Sequence, residues 1–244
     1  MSPGRFVADN SSELALATRM RRARFRILEG LIRSLVPPVR ILDVGGTEVY
    51  WRMMGLQATA DVEVVLLNTE RASPSLPGFS SVQGDARALS GIGDGEFDIV
   101  FSNSVIEHVG GIDDQRRMAN EVRRVGRMYC VQTPNRHFPI EPHFLFPFFQ
   151  FLPVEARIWL VRRFSLGWFK AAPDEMRARE LVTGIRLLTR REVQALFPEA
   201  VLFDEKVLGL VKSFVAYTPV RSSRTSPASN PRSGEVAGGP EPAA

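Results

Sequence analysis

The sequence has little that could cross-link it, carry it across a membrane or mark it for export. Its 244 residues contain one cysteine, Cys130, so an internal disulfide is excluded. The apolar neighbours Tyr129 and Val131 suit a buried strand thiol in a reducing compartment, with no charge beside it to make a nucleophile. The longest apolar stretch, Phe144 to Leu152, is too short for a membrane span and is broken by Pro147 and Gln150. The opening residues, Met1 to Asn10, lack the apolar run of a secretory signal. The expectation is a cytoplasmic protein, with peripheral contact at the inner membrane surface as an option. Lysine is almost missing: all but Lys170, Lys206 and Lys212 of the 31 basic residues are arginines. Histidine is equally scarce, with only His108, His137 and His143.

What is present is an ordinary globular composition, 44% apolar and 24% charged, long enough to bury a core without staples. The net charge of +4 is unevenly spread. Arginines crowd residues 1–40 and basic residues crowd 155–191, which suits a solvated face, an anionic surface or an anionic ligand. Asn10 and Glu13 have capping-box spacing, and Phe25, Leu28, Leu31, Ile32 and Leu35 then recur at helical intervals until Pro37-Pro38. This predicts an amphipathic helical segment over 1–38, ahead of a main domain over 39–220.

Within that domain, short apolar strands are predicted at Arg40–Val44, Val62–Leu67, Phe79–Gln83, Phe97–Ser102 and Met128–Gln132. Helices are predicted from Thr47 to Gly55 and from Asp113 to Arg124, with Gly126 as the stop of the second. Strands apolar on both faces and joined by helices define an α/β fold with a mostly parallel sheet. An irregular segment, Thr133 to Pro153, precedes helices near 154–165 and 173–183. A third helix opens on a Thr189–Glu192 capping box, and strands at Val201–Lys206 and Val211–Thr218 close the domain. Residues 221–244 are Pro, Ser, Gly and Ala with almost no large apolar side chain, the composition of a disordered tail.

In an open parallel sheet, ligands bind beyond the carboxyl ends of the strands, so the residues that follow each strand carry the functional signal. Here they are Asp43-Val44-Gly45-Gly46-Thr47, Asn68-Thr69-Glu70, Gly84-Asp85-Ala86 and Ser102-Asn103-Ser104. Each alone is a turn former. Together, with Ile41-Leu42-Asp43-Val44-Gly45-Gly46-Thr47, Gln83-Gly84-Asp85-Ala86, Phe97 to Val109 and Gln132-Thr133-Pro134-Asn135, the chain resembles the class I S-adenosylmethionine-dependent methyltransferases. The resemblance implies a Rossmann-like seven-stranded sheet of order 3-2-1-4-5-7-6, helices on both faces, and S-adenosyl-L-methionine as cofactor. It places Asp43, Gly45, Gly46 and Thr47 at the methionine end, Asn68 at the ribose, Asp85 and Ala86 at the adenine, and Asn103 and Ser104 beside the sulfonium. Two positions depart from the family pattern: Thr47 and Val49 stand where further glycines are common, and Asn68 stands where an acid is usual.

All three histidines follow the fourth and fifth strands, on the rim where an acceptor must meet the methyl group. A histidine with an ordinary pKa near 6.5 suits removal of a hydroxyl proton. His108, His137 and His143, with Glu141, are therefore the candidate catalytic residues for O-methylation of a small-molecule, lipid or lipid-linked glycan acceptor. The same histidines with Glu107 also have the chemistry of metal ligands, the less favoured reading. Ten of the chain's aromatics fall between Phe138 and Phe169, inside a substrate-side insertion expected at about 134–188. They suit either a core of their own or a greasy acceptor and a membrane surface. No nucleic-acid partner is expected, because Asn103 is not followed by the Pro-Pro-aromatic run of base amino-methylases. A nicotinamide oxidoreductase would need Gly-x-Gly-x-x-Gly and an acid about 20 residues on, both missing. A catalytically silent relative that serves as an interaction or membrane-docking module is the alternative.

Overall fold

The computed structural model describes residues 11–55 and 61–219. Asn10, the first partner of the capping pair above, and the tail segment 221–244 lie outside the described residues. The described residues open with helix α1 (Ser11–Arg33), which leads into β1 (Val39–Val44), α2 (Glu48–Met54), β2 (Val62–Asn68), β3 (Phe79–Gln83) and β4 (Phe97–Asn103). Then follow α3 (Ile112–Val125), β5 (Gly126–Pro134), a ribbon of β6 (Ile140–Glu141) and β7 (Phe146–Pro147), and helices α4 (Val154–Arg163), α5 (Glu175–Thr183) and α6 (Arg190–Leu196). Strands β8 (Val201–Val207) and β9 (Leu210–Tyr217) end the described chain.

The main sheet runs β3-β2-β1-β4-β5-β9-β8. Its first five strands are parallel, and β9 runs antiparallel to both β5 and β8. This is the expected Rossmann-like α/β class; the short ribbon β6–β7, not foreseen as strands, forms a separate sheet and shifts the numbering of the last two. Alternate residues of the central strands are buried on opposite faces, the signature of a parallel sheet covered on both sides. Ile41 and Ile99 pack with Phe25, Leu28 and Trp51 beneath α1 and α2, while Leu42 and Val100 pack with Met118 and Val122 of α3. A third cluster, built on Phe144, Phe149, Ile158 and Ala178, lies within the segment between β5 and α6. Part of the aromatic-rich stretch is thus core, and part stands in solvent, Phe148 and Trp159 being 57% and 60% exposed.

Several element edges differ from the sequence reading for local reasons. Strand β5 starts at Gly126 and runs through Thr133 and Pro134, residues expected to be irregular. Gly126 is no left-handed helix stop: its φ of −103° is extended, and glycine is required because a β-carbon would lie 2.6 Å from a Val100 methyl. Helix α5 starts at Glu175, after Asp174, whose side chain caps the Arg177 amide; Pro173 stays outside the helix. The Thr189–Glu192 capping box forms as expected.

Candidate active site

The rim at the carboxyl ends of β1 to β5 is built from the inside outward. At the end of β1, Asp43 is 1% exposed and accepts a 2.6 Å hydrogen bond from the Trp51 indole. Burial pushes its carboxyl pKa up to about 7, opposed by that hydrogen bond. Its second oxygen, Oδ1, is buried with no partner among the described residues. The chain then turns through Gly45, whose φ of +72° is left-handed. A β-carbon at Gly46 would overlap the Asp43 carboxylate, so the two glycines leave a bare backbone cradle over a buried acid. Thr47 caps α2 by position, with no side-chain hydrogen bond to the helix.

The neighbouring strand ends are already tied to the protein. Asn68 donates from Nδ2 to the Gly46 carbonyl at 3.0 Å. Asp85 is held by Arg87 through Nε and Nη2, the latter at 2.6 Å, which keeps its carboxyl below the usual carboxylate range. Ala86 is buried beside it. Asn103 accepts a 2.6 Å bond at Oδ1 from Arg24 of α1, and Arg24 is also paired with the buried Glu205 at 2.9 Å. Ser104 has a left-handed φ of +58°, pinned by Gln132, whose carbonyl and side-chain oxygen accept its N–H and O–H.

Beyond Ser104, Val105 packs against Gly45, and the short turn Ile106–His108 carries Glu107 and His108. Glu107 is fully buried, accepts a bond from Thr133 at 3.0 Å, and is pushed by burial to a pKa of about 7. The Nε2 atoms of His108 and His143 lie 3.1 Å apart, with the rings edge to face. His143 Nδ1 lies 2.7 Å from Glu141 Oε1, while Glu141 Oε2 accepts the His143 and Phe144 amides. Burial and the neighbouring His143 lower the His108 pKa to about 4. At His143 burial acts downward too, but the Glu141 bond and charge and the Glu107 charge raise it above the ordinary value. These opposite shifts favour a neutral His108 and a His143 that holds its proton more tightly.

The structure thus gathers three of the four expected catalytic residues, His108, Glu141 and His143, into one hydrogen-bonded chain. It leaves His137 out: that side chain is exposed and its ring stacks on Phe151 with centroids 6.3 Å apart. The His137 amide donates to the Asn135 side-chain oxygen at 3.0 Å. Ligating atoms of Glu107, His108 and His143 lie within 4.8 Å of one another, so the metal alternative keeps a geometric basis. Sequence reasoning missed Trp51, Thr133 and Arg24, which orient Asp43, Glu107 and Asn103. Trp51 and Thr133 read as core and strand residues, and Arg24 is one of many arginines; only the tertiary contact distinguishes them.

Residues 46–128 match the family of the methyltransferase domain. Over 58 residues, 24% of this chain, the sequence is 41% identical to uncharacterized protein Rv1509 of Mycobacterium tuberculosis, and the match spans only 20% of that protein's length. Among solved structures, the CurJ carbon methyltransferase superposes with a TM-score of 0.52 at 10% identity, over 84% of this chain and 55% of that one. A putative O-methyltransferase of Nostoc punctiforme gives 0.46 at 13% identity, over 83% and 58%. About a third of the chain thus matches a methyltransferase-domain family, and the fold is shared with the CurJ carbon methyltransferase.

Proposed function

We propose that the chain transfers a methyl group from S-adenosylmethionine to an oxygen of a small-molecule or lipid-like acceptor, a lipid-linked glycan among the candidates. The observation that carries this reading is the hydrogen-bonded chain Glu141–His143–His108, placed next to the bare Gly45–Gly46 turn through Val105. When bound, the cofactor supplies a methyl group activated by a positively charged sulfur. The cradle fits it: the glycines allow close backbone approach, and the unpartnered Asp43 Oδ1 offers an acceptor beneath the turn. In this reading Asp43, Gly45, Gly46 and Thr47 hold the methionine end, Asn68 meets the ribose, Asp85 and Ala86 meet the adenine, and Asn103 and Ser104 border the sulfonium. The histidine pair takes the acceptor's hydroxyl proton, with Glu141 orienting His143 as the carboxylate of a hydrolase triad orients its base. General-base help of this kind contributes about 100 to 10,000-fold.

A second reading has one observation in its favour. Asn68, Asp85 and Asn103 already have protein partners, as they would in a silent relative that binds no cofactor. The two readings separate in a thermal melt of the full chain with S-adenosylhomocysteine, using NADH as the control. At 100 times its dissociation constant the ligand adds about 2.7 kcal/mol, a rise of roughly 5 to 10 degrees. A rise with S-adenosylhomocysteine only is the expected result; no rise with either ligand moves the silent module forward.

Peripheral membrane contact belongs to the same proposal. Leu145 and Phe148 hold left-handed φ values of 49° and 56° and are half or more exposed, and Trp159 and Phe164, in edge-to-face contact, are exposed on and after α4. Arg162 and Arg163, next to Phe164 in the chain, are exposed too, a combination of apolar and basic side chains suited to anionic headgroups. Among the described residues no helix is long and apolar enough to cross a membrane.

A further inference from the structure

A cavity of about 440 Å³ opens between the Gly110–Gly111 turn, the start of the β5–α6 segment and the end of α5. Its apolar wall includes Phe149 and Ile185, and its polar wall is dominated by arginines. The charges are not balanced. Arg186 is engaged by the Gln115 side chain at 2.7 Å and by Glu192. Glu141, the cavity's carboxylate, has both oxygens occupied by His143 and the Phe144 amide. That leaves Arg136 and Arg157, whose guanidinium groups have no hydrogen bond or ion pair among the described residues. Arg157 Nε is buried without a partner, and so is Gln150 Oε1, whose amide nitrogen is fixed by the carbonyls of Arg136 and Phe138. Burial, and then the charge of Arg136, lower the Arg157 pKa, with the Glu141 charge acting the other way, and a bound anion would offset the repulsion between the two guanidiniums.

Two unpaired guanidiniums in one cavity, with an orphaned amide oxygen beside them, form a site short of an anion. We propose that Arg136 and Arg157 bind a carboxylate or phosphate group of the methyl acceptor, with Gln150 Oε1 accepting from a hydroxyl or N–H and the acceptor's apolar body lying against Phe149 and Ile185. The identification of the ligand as the acceptor rests on the methyltransferase reading; the anion site itself does not. The cavity reaches the histidine pair through Glu141, which lines the one and bonds the other.

The test uses the full chain and three probes that share a phenyl ring: benzoate, phenyl phosphate and the neutral benzamide, followed by calorimetric titration with and without S-adenosylhomocysteine. Benzoate or phenyl phosphate is expected to bind with an affinity that falls as salt rises, and benzamide to bind at least tenfold more weakly. Loss of a charge-assisted guanidinium bond should weaken the anion by about 10 to 100-fold in Arg157→Gln and in Arg136→Gln. Arg157→Lys, which keeps the charge and loses the fork, should retain part of the affinity, so a folding defect in the glutamine variant does not decide the matter. The tighter of the two anions tells carboxylate from phosphate. Equal binding of benzamide and benzoate, or anion affinity unchanged in the Arg136→Gln/Arg157→Gln double variant, overturns the proposal. Anion binding without any S-adenosylhomocysteine binding would keep the site and remove the transferase reading.

Discussion

At the scale of single residues, the site depends on groups kept in protonation states unusual for their type. Asp43 and Glu107 have pKa values raised to about 7 by burial, and His143 is raised above its ordinary value. A group whose pKa is raised on folding stabilises the fold fully below its unfolded value and loses that contribution as pH climbs through its folded value. His108 works the other way, but its contribution is complete above about 6.5. Asp43 and Glu107 together lose their contribution from about pH 4.5 to 7, outweighing the gain from His108 below 6.5, and His143 adds its loss above 6.5, so the melting temperature should fall from about pH 4.5 upward through neutrality. Glu107→Gln should flatten the fall, and an unchanged slope would show that Glu107 does not titrate there. Activity should run oppositely, rising with pH as the proton shared by the histidine pair is lost. In Glu141→Gln the acid limb of kcat/KM should move to lower pH, because the carboxylate that raises His143 is gone; a limb that stays in place would separate His143 from the chemistry. Gly46→Ala tests the cradle, since its methyl overlaps the Asp43 carboxylate. The cost expected is about 1 to 3 kcal/mol of stability, read in a denaturant melt, together with loss of S-adenosylhomocysteine binding.

At the scale of elements, α1 is joined to the sheet by Phe25, Leu28 and Leu31 in the core and by Arg24 at the rim. Arg24 bridges Asn103 at the end of β4 and Glu205 of β8, two strands separated in the sheet by β5 and β9. Glu205 is 3% exposed, so removing its cation leaves a buried charge. Arg24→Met should therefore destabilise the protein by about 3 to 5 kcal/mol, and adding Glu205→Gln should recover much of the loss. Equal destabilisation in the single and double variants would mean that packing, not charge, is what Arg24 provides. The ribbon β6–β7 plays a comparable part for the histidine chain. It carries Glu141 on β6, and His143 lies in the bend between its strands.

At the scale of the whole molecule, the described chain has a sheet with the candidate site on one rim and a segment between β5 and α6 that exposes Phe148, Trp159 and Phe164 together with Arg162 and Arg163. If that surface meets lipid, the protein should co-float with vesicles rich in phosphatidylglycerol and not with neutral ones. Phe148→Ser with Trp159→Ser should reduce flotation severalfold while leaving S-adenosylhomocysteine affinity intact. Flotation that ignores lipid charge, or that survives both substitutions, would argue against docking through this face.

Much of this arrangement was legible in the sequence. Strands β1, β2 and β4 announce themselves because parallel strands buried on both faces are mainly apolar runs, and α6 because its capping box is a local hydrogen-bond pattern carried by Thr189 and Glu192. The strand-end residues could be found for the same reason: topology places every strand's carboxyl end on one rim. Tertiary structure alone decided which polar groups meet there. It paired His108 with His143, residues 35 apart, and turned His137 away toward Phe151. It chose Arg24 out of a row of similar arginines and brought Arg136 and Arg157 to one cavity without partners among the described residues. Local patterns are fixed by neighbours within a few residues and so are written in order along the chain. The pairing of buried charges depends on distances between segments far apart in sequence, and only packing sets those.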